Sequence, residues 1–213
     1  MKTALPYPLN IIRKKGIKRL KLIITKELNG GVMLRVNLPF GISKAHALAF
    51  VDENLEWINK QMEQLQEEER KLEDSLYSHA GELPIFGQWE RYDSCAHTKR
   101  KLKARLTDYL AGSIARYEAA MGIAPKSFRV RKNRYRLGSC RLDGTLTFSL
   151  QLLFAPPEVV DYVVAHELAH IIHHNHSAQF WELLAHYYPK HKEAKAYLRA
   201  HNALFVRLLE RFF

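Results

Sequence analysis

The sequence lacks the features of an exported or membrane-embedded protein. No apolar run reaches the roughly 18 residues that a transmembrane helix needs. The N-terminal segment, MKTALPYPLN, has no long apolar core of the kind that secretory signals carry. Only two cysteines, Cys95 and Cys140, occur in 213 residues, too few for a disulfide framework. We therefore expect free thiols, a cytoplasmic location and no membrane partner.

Acidic residues are also few relative to basic ones. Asp and Glu total 22 against 33 Lys and Arg, which gives a formal net charge of +11 at pH 7. The positive charges concentrate in three runs, at 13–21, 99–105 and 129–136. Such runs form either solvated faces of strands and helices or a surface for nucleic acid or nucleotide phosphates. The sequence leaves both interpretations open, and it contains no P-loop, internal repeat or low-complexity segment.

One stretch carries a pattern typical of metal chemistry. Residues 162–182 read YVVAHELAHIIHHNHSAQFWE and contain His166, Glu167 and His170 in the order HExxH. On an α-helix, positions i and i+4 lie on the same face about 6 Å apart, so the two imidazoles can bind one Zn²⁺. The carboxylate of Glu167 can then reach a water at an open coordination position and act as a general base.

The residues around the motif predict a strong helix. Pro156 and Pro157 suit its first turn, and Glu158 favours the positive end of the helix dipole. Its apolar residues supply a buried flank: Val159, Val160, Val163, Val164, Leu168, Ile171 and Ile172. Because unpaired polar groups are costly in such surroundings, an idle His-Glu-His cluster would be unfavourable there. The pattern therefore indicates a functional metal site.

Two of the histidines that follow the motif are poorly placed as a third ligand. His173 lies on the same helical face as His166, but seven residues of helix rise about 10 Å. Zn–N bonds are only about 2 Å long, so these two rings cannot easily share one ion. We expect His174 to point away from that face.

His176 is the better candidate. It follows Asn175, a residue that tolerates the left-handed conformation at which many helices end. A turn there would bring His176 back beneath the metal, and Ser177 would cap a new helix, AQFWELLAHYY. Glu182 on that second helix is the alternative ligand. We favour His176 because it supplies a neutral nitrogen at the turn itself.

HELAH followed by NHSAQFW resembles the YgjP-like metallopeptidase family, which is related to the WLM and SprT-like zinc proteases. That family also has an RWGSC-type strand upstream, and residues 136–140 read RLGSC, with Leu where the family usually has Trp. The resemblance implies Zn²⁺ as cofactor and a peptide or protein as substrate. It implies His166, His170 and His176 as the metal ligands and Glu167 as the general base.

The rest of the chain predicts an α+β fold in two parts. Residues 1–95 would form a small β-hairpin-rich region with a long helix, and residues 96–213 a zincin-like catalytic domain of helices around a short sheet. The boundary is expected in the turn-rich segment 78–97.

Hydrophobic periodicity and turn residues give the individual elements. A β-hairpin is predicted over 17–39, with its turn at Asn29-Gly30-Gly31 and alternating apolar residues in its second strand. We expect helices at 44–50 (capped by Ser43), 53–76 (capped by Asp52, with Trp57 as a core anchor), 98–122 and 190–212. Strands are expected near 84–92, 127–133 and 145–150, the last two joined through turns at Gly138-Ser139-Cys140 and Asp143-Gly144.

We therefore predict a zinc-dependent hydrolase, with a metallopeptidase as the first choice. The alternatives are a DNA-associated protease of the SprT-like type and a hydrolase of a non-peptide substrate such as a nucleoside triphosphate, because a fold alone does not fix the substrate. The TLTFSL strand at 145–150 is a candidate to pair with an extended substrate.

Candidates for stabilising an oxyanion are Tyr187, Tyr188 and Arg136. The basic run 129–136 precedes the turn whose following strand leads into the motif helix. Since short connections keep consecutive elements adjacent, Arg134 or Arg136 should lie near the mouth of the cleft.

Overall fold

The computed structural model describes residues 7–26 and 32–213. These residues belong to two compact units, Met1–Lys71 and Leu72–Phe213, each of which combines helices with a small sheet. The predicted α+β class is therefore confirmed. The predicted division between residues 95 and 96 lies inside the second unit, and a separate catalytic domain beginning at residue 96 stays a prediction.

The first unit is built on a three-stranded sheet in the order β1-β3-β2. β3 (Val32–Leu38) is central, with β1 (Leu9–Arg13) parallel to it and β2 (Lys21–Lys26) antiparallel. The predicted hairpin is confirmed as β2 and β3, and its predicted turn lies outside the described residues. The sequence pattern does not predict β1, because the five residues LNIIR are too few to show a regular alternation of apolar and polar side chains.

The sheet packs on two helices, α1 (Lys44–Glu53) and α2 (Leu55–Ser78). The alternating residues of β3 face this core, as a period of two requires. The buried apolar residues of the unit are Leu34, Val36, Leu38, Ala47, Val51, Ile58 and Met62.

The junction between the two helices differs from prediction. Ser43 caps α1 as expected, its Oγ accepting a hydrogen bond from the backbone N–H of His46 at 3.2 Å. Asp52 lies within α1, so the prediction that it caps α2 is wrong. The break comes at Asn54, whose side chain donates to the carbonyl of Phe50 at 2.7 Å and so satisfies the end of α1. Trp57 is 47 % exposed and is not the core anchor that its size suggested.

The second unit contains the motif helix and the largest core. Its elements in chain order are β4 (Glu82–Ile85), β5 (Gln88–Arg91), α3 (Lys99–Met121), β6 (Ser127–Arg131), β7 (Gly138–Cys140), β8 (Thr145–Ser149), a 3₁₀ helix (Leu150–Phe154), α4 (Pro157–Ile172), α5 (Ala178–Tyr187) and α6 (His191–Phe212). β4 and β5 form a hairpin, and the backbone N–H of Phe86 in its turn donates to the carbonyl of Leu153 at 2.7 Å. That bond joins the hairpin to the rest of this unit, which places the segment before residue 96 within it.

The three-stranded sheet of this unit has the order β6-β8-β7. β8 is parallel to β6 and antiparallel to β7, so it has a partner on each side. Two predictions from residue types are therefore wrong: Gly138-Ser139-Cys140 is not a turn, and TLTFSL is not a free edge. The strand at Gly138–Cys140 agrees instead with the RWGSC-type strand that the family resemblance implied. Local pattern could not show this, because three residues that include glycine carry no alternation, and only pairing across the Asp143-Gly144 turn makes them a strand.

α4 runs through the centre of this core. Pro157 occupies its first turn and Glu158 adds a negative charge there, as predicted. Nine of its residues are buried: Val159, Val160, Tyr162, Val163, Val164, Ala165, Glu167, Leu168 and Ala169. Within the described ranges, no helix is long and apolar enough to cross a membrane.

Asp161 ties α4 to α3. Its carboxylate accepts hydrogen bonds from the hydroxyls of Tyr109 at 3.0 Å and Ser113 at 2.6 Å, and from the guanidinium of Arg116 at 2.8 Å. Burial and the neighbouring carboxylate raise the pKa of Tyr109 to about 12, so its hydroxyl remains a donor at neutral pH. The carboxylate of Asp161 thus accepts hydrogen bonds from three side chains on one face of α3.

We expect Asp161→Ala to destabilise the protein by about 1–3 kcal/mol, because it leaves partly buried donors without an acceptor. Urea unfolding followed by circular dichroism measures the change. Asp108→Ala is the matched control, since Asp108 is an exposed carboxylate on α3, the helix that Asp161 binds. Equal unfolding midpoints for the two variants would contradict the anchoring role of Asp161.

Candidate metal centre

α4 and the turn after it bring three histidines together. His166 and His170 lie one turn apart on α4, with ring centroids separated by 4.8 Å. The centroid of the His176 ring lies 5.1 Å from that of His166 and 4.7 Å from that of His170. One ring nitrogen from each lies within 4.8 Å of the other two, and the Nε2 atoms of His166 and His176 are 3.2 Å apart.

The chemistry of this donor set fits a metal ion. Burial, and to a lesser extent the neighbouring rings of His170 and His176, lowers the pKa of His166 to about 3. Burial also lowers the pKa of His170. Both rings are therefore neutral at physiological pH, the form in which imidazole binds metals. The Nδ1 of His170 lies 2.9 Å from the carbonyl oxygen of His173, which can accept a hydrogen bond from Nδ1–H and leave the lone pair of Nε2 free to bind a metal.

The chain reaches His176 by a different turn from the one predicted. α4 ends at Ile172, with His173 in an extended conformation. Among the described non-glycine residues only Phe86 has a positive φ, so the predicted left-handed Asn175 is wrong. Instead, the side-chain oxygen of Asn175 accepts a hydrogen bond from the backbone N–H of Ser177 at 3.3 Å, which closes the turn.

Ser177 then starts α5 as predicted, its Oγ accepting a hydrogen bond from the N–H of Phe180 at 3.3 Å. This cap places two aromatic side chains beneath the histidines. The ring of Phe180, which is fully buried, lies 4.5 Å from His170 and 4.8 Å from His176, measured between centroids. Trp181 stacks on His176 with centroids 5.5 Å apart. We call Phe180 and Trp181 the aromatic floor of the site.

The other candidate ligands are not members of the three-histidine group. Glu182 is exposed on α5 and is not part of the three-histidine group. His173 contributes its carbonyl to the hydrogen bond with His170. His174 lines the cavity beside the cluster, so the prediction that it points away is wrong. The reason is that α4 has already ended before His174, and helical spacing no longer gives the direction of its side chain.

Glu167 lies directly against β7. It is 5 % exposed, and burial raises its pKa to about 8, while the positive charge of Arg136 acts in the opposite direction. A Cβ atom built on Gly138 would lie 2.7 Å from the Cγ and the Cδ of Glu167. Real Cβ atoms are almost never so close to another heavy atom, and therefore only glycine fits at position 138 while the carboxylate keeps its place.

A cavity of about 350 Å³ opens over the histidines. We call it the histidine cavity, and its lining consists of Arg136, Gly138, Ser139, Cys140, Leu142, His166, Glu167, His170, His174 and His176. Of the predicted oxyanion donors, Arg136 belongs to this lining and Tyr187 does not. Tyr188 instead donates its hydroxyl to the carbonyl of Glu158 at 2.6 Å. Burial raises the pKa of the Cys140 thiol to about 11, so the thiol stays protonated at neutral pH.

The basic residues of the run 129–136 lie in different places in the structure. Arg136 reaches the histidine cavity, whereas Arg134 pairs with Glu210 of α6 at 2.9 Å. A second cavity of about 490 Å³ shares no lining residue with the first. Its lining is strongly cationic: Lys103, Arg129, Val130, Arg131, Lys132 and Leu150. The run is therefore not one surface.

The protein family that the chain matches agrees with this chemistry. Residues 91–201, slightly more than half of the chain, match the YgjP-like metallopeptidase domain. No curated protein matches the sequence significantly. Among solved structures, the chain is similar to the metallopeptidase zymogen of Pyrococcus abyssi abylysin, with 22 % identity and a TM-score of 0.39 over 42 % of this chain and 90 % of that one.

The contact between Gly138 and Glu167 gives a direct test of the site. In Gly138→Ala the new methyl group must displace the Glu167 carboxylate, and we expect hydrolytic activity to fall on the order of 10²-fold. The content of bound metal should stay at the parental level, because the three histidines are untouched. Peptide hydrolysis and elemental analysis measure the two quantities.

Gly112→Ala is the matched control. Gly112 lies within α3, and a Cβ there would have no neighbour within 4 Å. We expect parental activity and a gain in stability of about 1 kcal/mol from the better helix propensity of alanine. Equal activity in both glycine variants would mean that Gly138 does not position Glu167.

Proposed function

The chain belongs to the YgjP-like metallopeptidase family, and on that premise we propose that it is a zinc-dependent peptidase. The ion would be held by His166, His170 and His176. The observation that carries this proposal is the convergence of three imidazole nitrogens within 4.8 Å beside a buried glutamate. Three protein ligands with nitrogen donors leave the fourth tetrahedral position open, which is the arrangement of catalytic rather than structural zinc sites.

In the proposed mechanism the general base is Glu167. A bound Zn²⁺ would lower the pKa of water toward 7 and polarise the scissile carbonyl. A carboxylate oxygen of Glu167 takes the proton of the attacking water, holds it, and later gives it to the nitrogen of the leaving amine. Because Glu167 is buried against Gly138, its carboxylate is held in one place and needs little reorganisation during the reaction.

We propose that the substrate lies along β7. Gly138, Ser139 and Cys140 all line the histidine cavity, and β7 pairs only with β8 among the described strands. An extended peptide can therefore add to the sheet through main-chain hydrogen bonds, without needing a particular sequence. This strand takes the role that the sequence suggested for TLTFSL. The zincin-like arrangement, with the helix on one side of the substrate and a strand on the other, is part of this proposal.

The two alternatives stay predictions. A DNA-associated protease or a nucleotide hydrolase would need a surface that binds phosphates. Positive charges suited to phosphates line the second cavity, at Lys103, Arg129, Arg131 and Lys132. That cavity lies outside the lining of the histidine cavity, so phosphates bound there would not be placed over Glu167. The peptidase is therefore the only function that we propose.

His176 tests the metal site. We expect His176→Ala to weaken zinc binding by more than about 100-fold, since even the loss of residues that merely support zinc ligands costs about 10–100-fold. Elemental analysis after dialysis against a chelator of known affinity measures this loss. His186→Ala, an exposed histidine of α5, is the control and should bind zinc as the parent does. Parental affinity in His176→Ala would reject His176 as a ligand.

Glu167 tests the mechanism. We expect Glu167→Gln to keep the fold and the zinc and to lose on the order of 10²-fold or more in the rate of peptide hydrolysis, because an amide cannot accept the proton. Casein and a mixed peptide library serve as substrates, with chelator treatment and zinc re-addition as checks on metal dependence. Near-parental turnover by the zinc-loaded variant would move the general base to another residue.

A further inference from the structure

Arg136 differs from every other residue around the histidine cavity in its charge. Among the described residues that line this cavity it is the only Lys or Arg. Arg136 and Glu167 line the same cavity. The cavity therefore has one permanently cationic side chain in the same lining as Glu167.

The guanidinium of Arg136 is also uncommitted. Two other arginines of the same run have partners, since Arg134 pairs with Glu210 at 2.9 Å and Arg129 donates to the Thr147 hydroxyl at 3.2 Å. Within residues 7–26 and 32–213, no hydrogen bond or ion pair engages the Arg136 side chain. An exposed guanidinium with five donors facing a cavity has its full capacity left for a ligand.

The backbone that carries Arg136 is, by contrast, firmly held. The side-chain oxygen of Asn133 accepts hydrogen bonds from the N–H groups of Tyr135 at 2.9 Å and Arg136 at 3.1 Å. The carbonyl of Asn133 in turn accepts from the hydroxyl of Ser149 at 2.7 Å and the amide of Gln151 at 2.6 Å. These last two side chains are each 1 % exposed, so the segment is anchored in the core.

The anchoring continues on the other side of Arg136. The backbone N–H of Ser149 donates to the carbonyl of Leu137 at 2.8 Å, immediately before β7 begins. Arg136 is thus fixed at its backbone on both sides while its side chain remains without a partner. A fixed backbone limits the positions that the guanidinium can occupy, which is how preorganised binding residues are built.

We infer that Arg136 forms a carboxylate-binding subsite that selects peptides with Asp or Glu within a few residues of the scissile bond. This inference rests on the proposed peptidase function. A peptide lying along β7 passes Arg136, because this residue precedes the strand by only two positions. Among the parts of a peptide, a carboxylate is the group that a guanidinium binds in bidentate geometry, through two parallel charge-assisted hydrogen bonds.

The closest rival role for Arg136 is stabilisation of the oxyanion, and the two roles make different demands. An oxyanion forms with every peptide, so removing a guanidinium that stabilises it lowers the turnover of all substrates by the same factor. A carboxylate subsite acts only on substrates that carry the acid. The decisive quantity is therefore the ratio of kcat/KM between matched acidic and neutral peptides, compared between parent and variant.

The experiment uses zinc-loaded protein and peptide pairs that differ only by Glu or Gln at each position flanking the cleaved bond. We expect the parent to prefer the best Glu peptide by about tenfold to a hundredfold, and Arg136→Gln to bring this ratio close to one. Arg136→Glu should reverse it in favour of a Lys peptide. Arg131→Gln removes an exposed arginine outside the histidine cavity and should keep the parental ratio. An equal fall for both peptides in Arg136→Gln would overturn the inference and indicate the oxyanion role.

A binding measurement keeps this test separate from the proposed function. Fluorescence anisotropy of the labelled Glu and Gln peptides, at low and high salt, reports the subsite without any turnover. We expect tighter binding of the Glu peptide by the parent and no such difference in Arg136→Gln. Absence of peptide cleavage together with this binding pattern would reject the peptidase and retain the carboxylate subsite. Equal binding of the two peptides by the parent would overturn the subsite itself.

Discussion

Glu167 lines the histidine cavity but is only 5 % exposed, and a carboxylate buried so deeply either takes up a proton or needs a compensating positive charge. The rest of the site is arranged around this constraint. The backbone of β7 approaches so closely that only glycine fits at position 138, and the nearby rings of His166 and His170 are neutral. A divalent cation on the histidines would supply the missing positive charge, which gives a physical reason for the cluster to exist at all.

The aromatic floor connects this polar cluster to the apolar core. Phe180 contacts all three histidine rings, and Trp181 stacks on the most exposed of them, His176. Both aromatic side chains come from the first turn of α5, which starts at the Ser177 cap one residue after His176. The third histidine and the surface beneath it are therefore placed by the same turn, and a change in that turn would disturb both together.

The wall of the cavity opposite α4 depends on contacts between distant parts of the chain. Residues 133–137 form no helix or strand. Their backbone carbonyls nevertheless accept hydrogen bonds from Ser149 and Gln151, two buried residues. These bonds set where β7 begins and where Arg136 enters the cavity. Asp161 provides a similar link on the other side, between α4 and α3. The position of α4 relative to β7 is thus fixed by a few polar side chains that take no part in the proposed chemistry.

The sequence by itself determined the features that depend on neighbours along the chain. The i, i+4 spacing of His166 and His170, the helix that carries them and the Ser177 cap follow from local geometry, and the structure contains each of them. Only the tertiary structure decided between His176 and Glu182 as neighbours of the pair, turned Gly138–Cys140 into a strand, and brought Arg136 rather than Tyr187 or Tyr188 to the cavity. Local periodicity could not show these outcomes, because each depends on strand pairing or on hydrogen bonds between residues far apart in the sequence. Contacts of this kind produce no periodic pattern of residue types along the sequence.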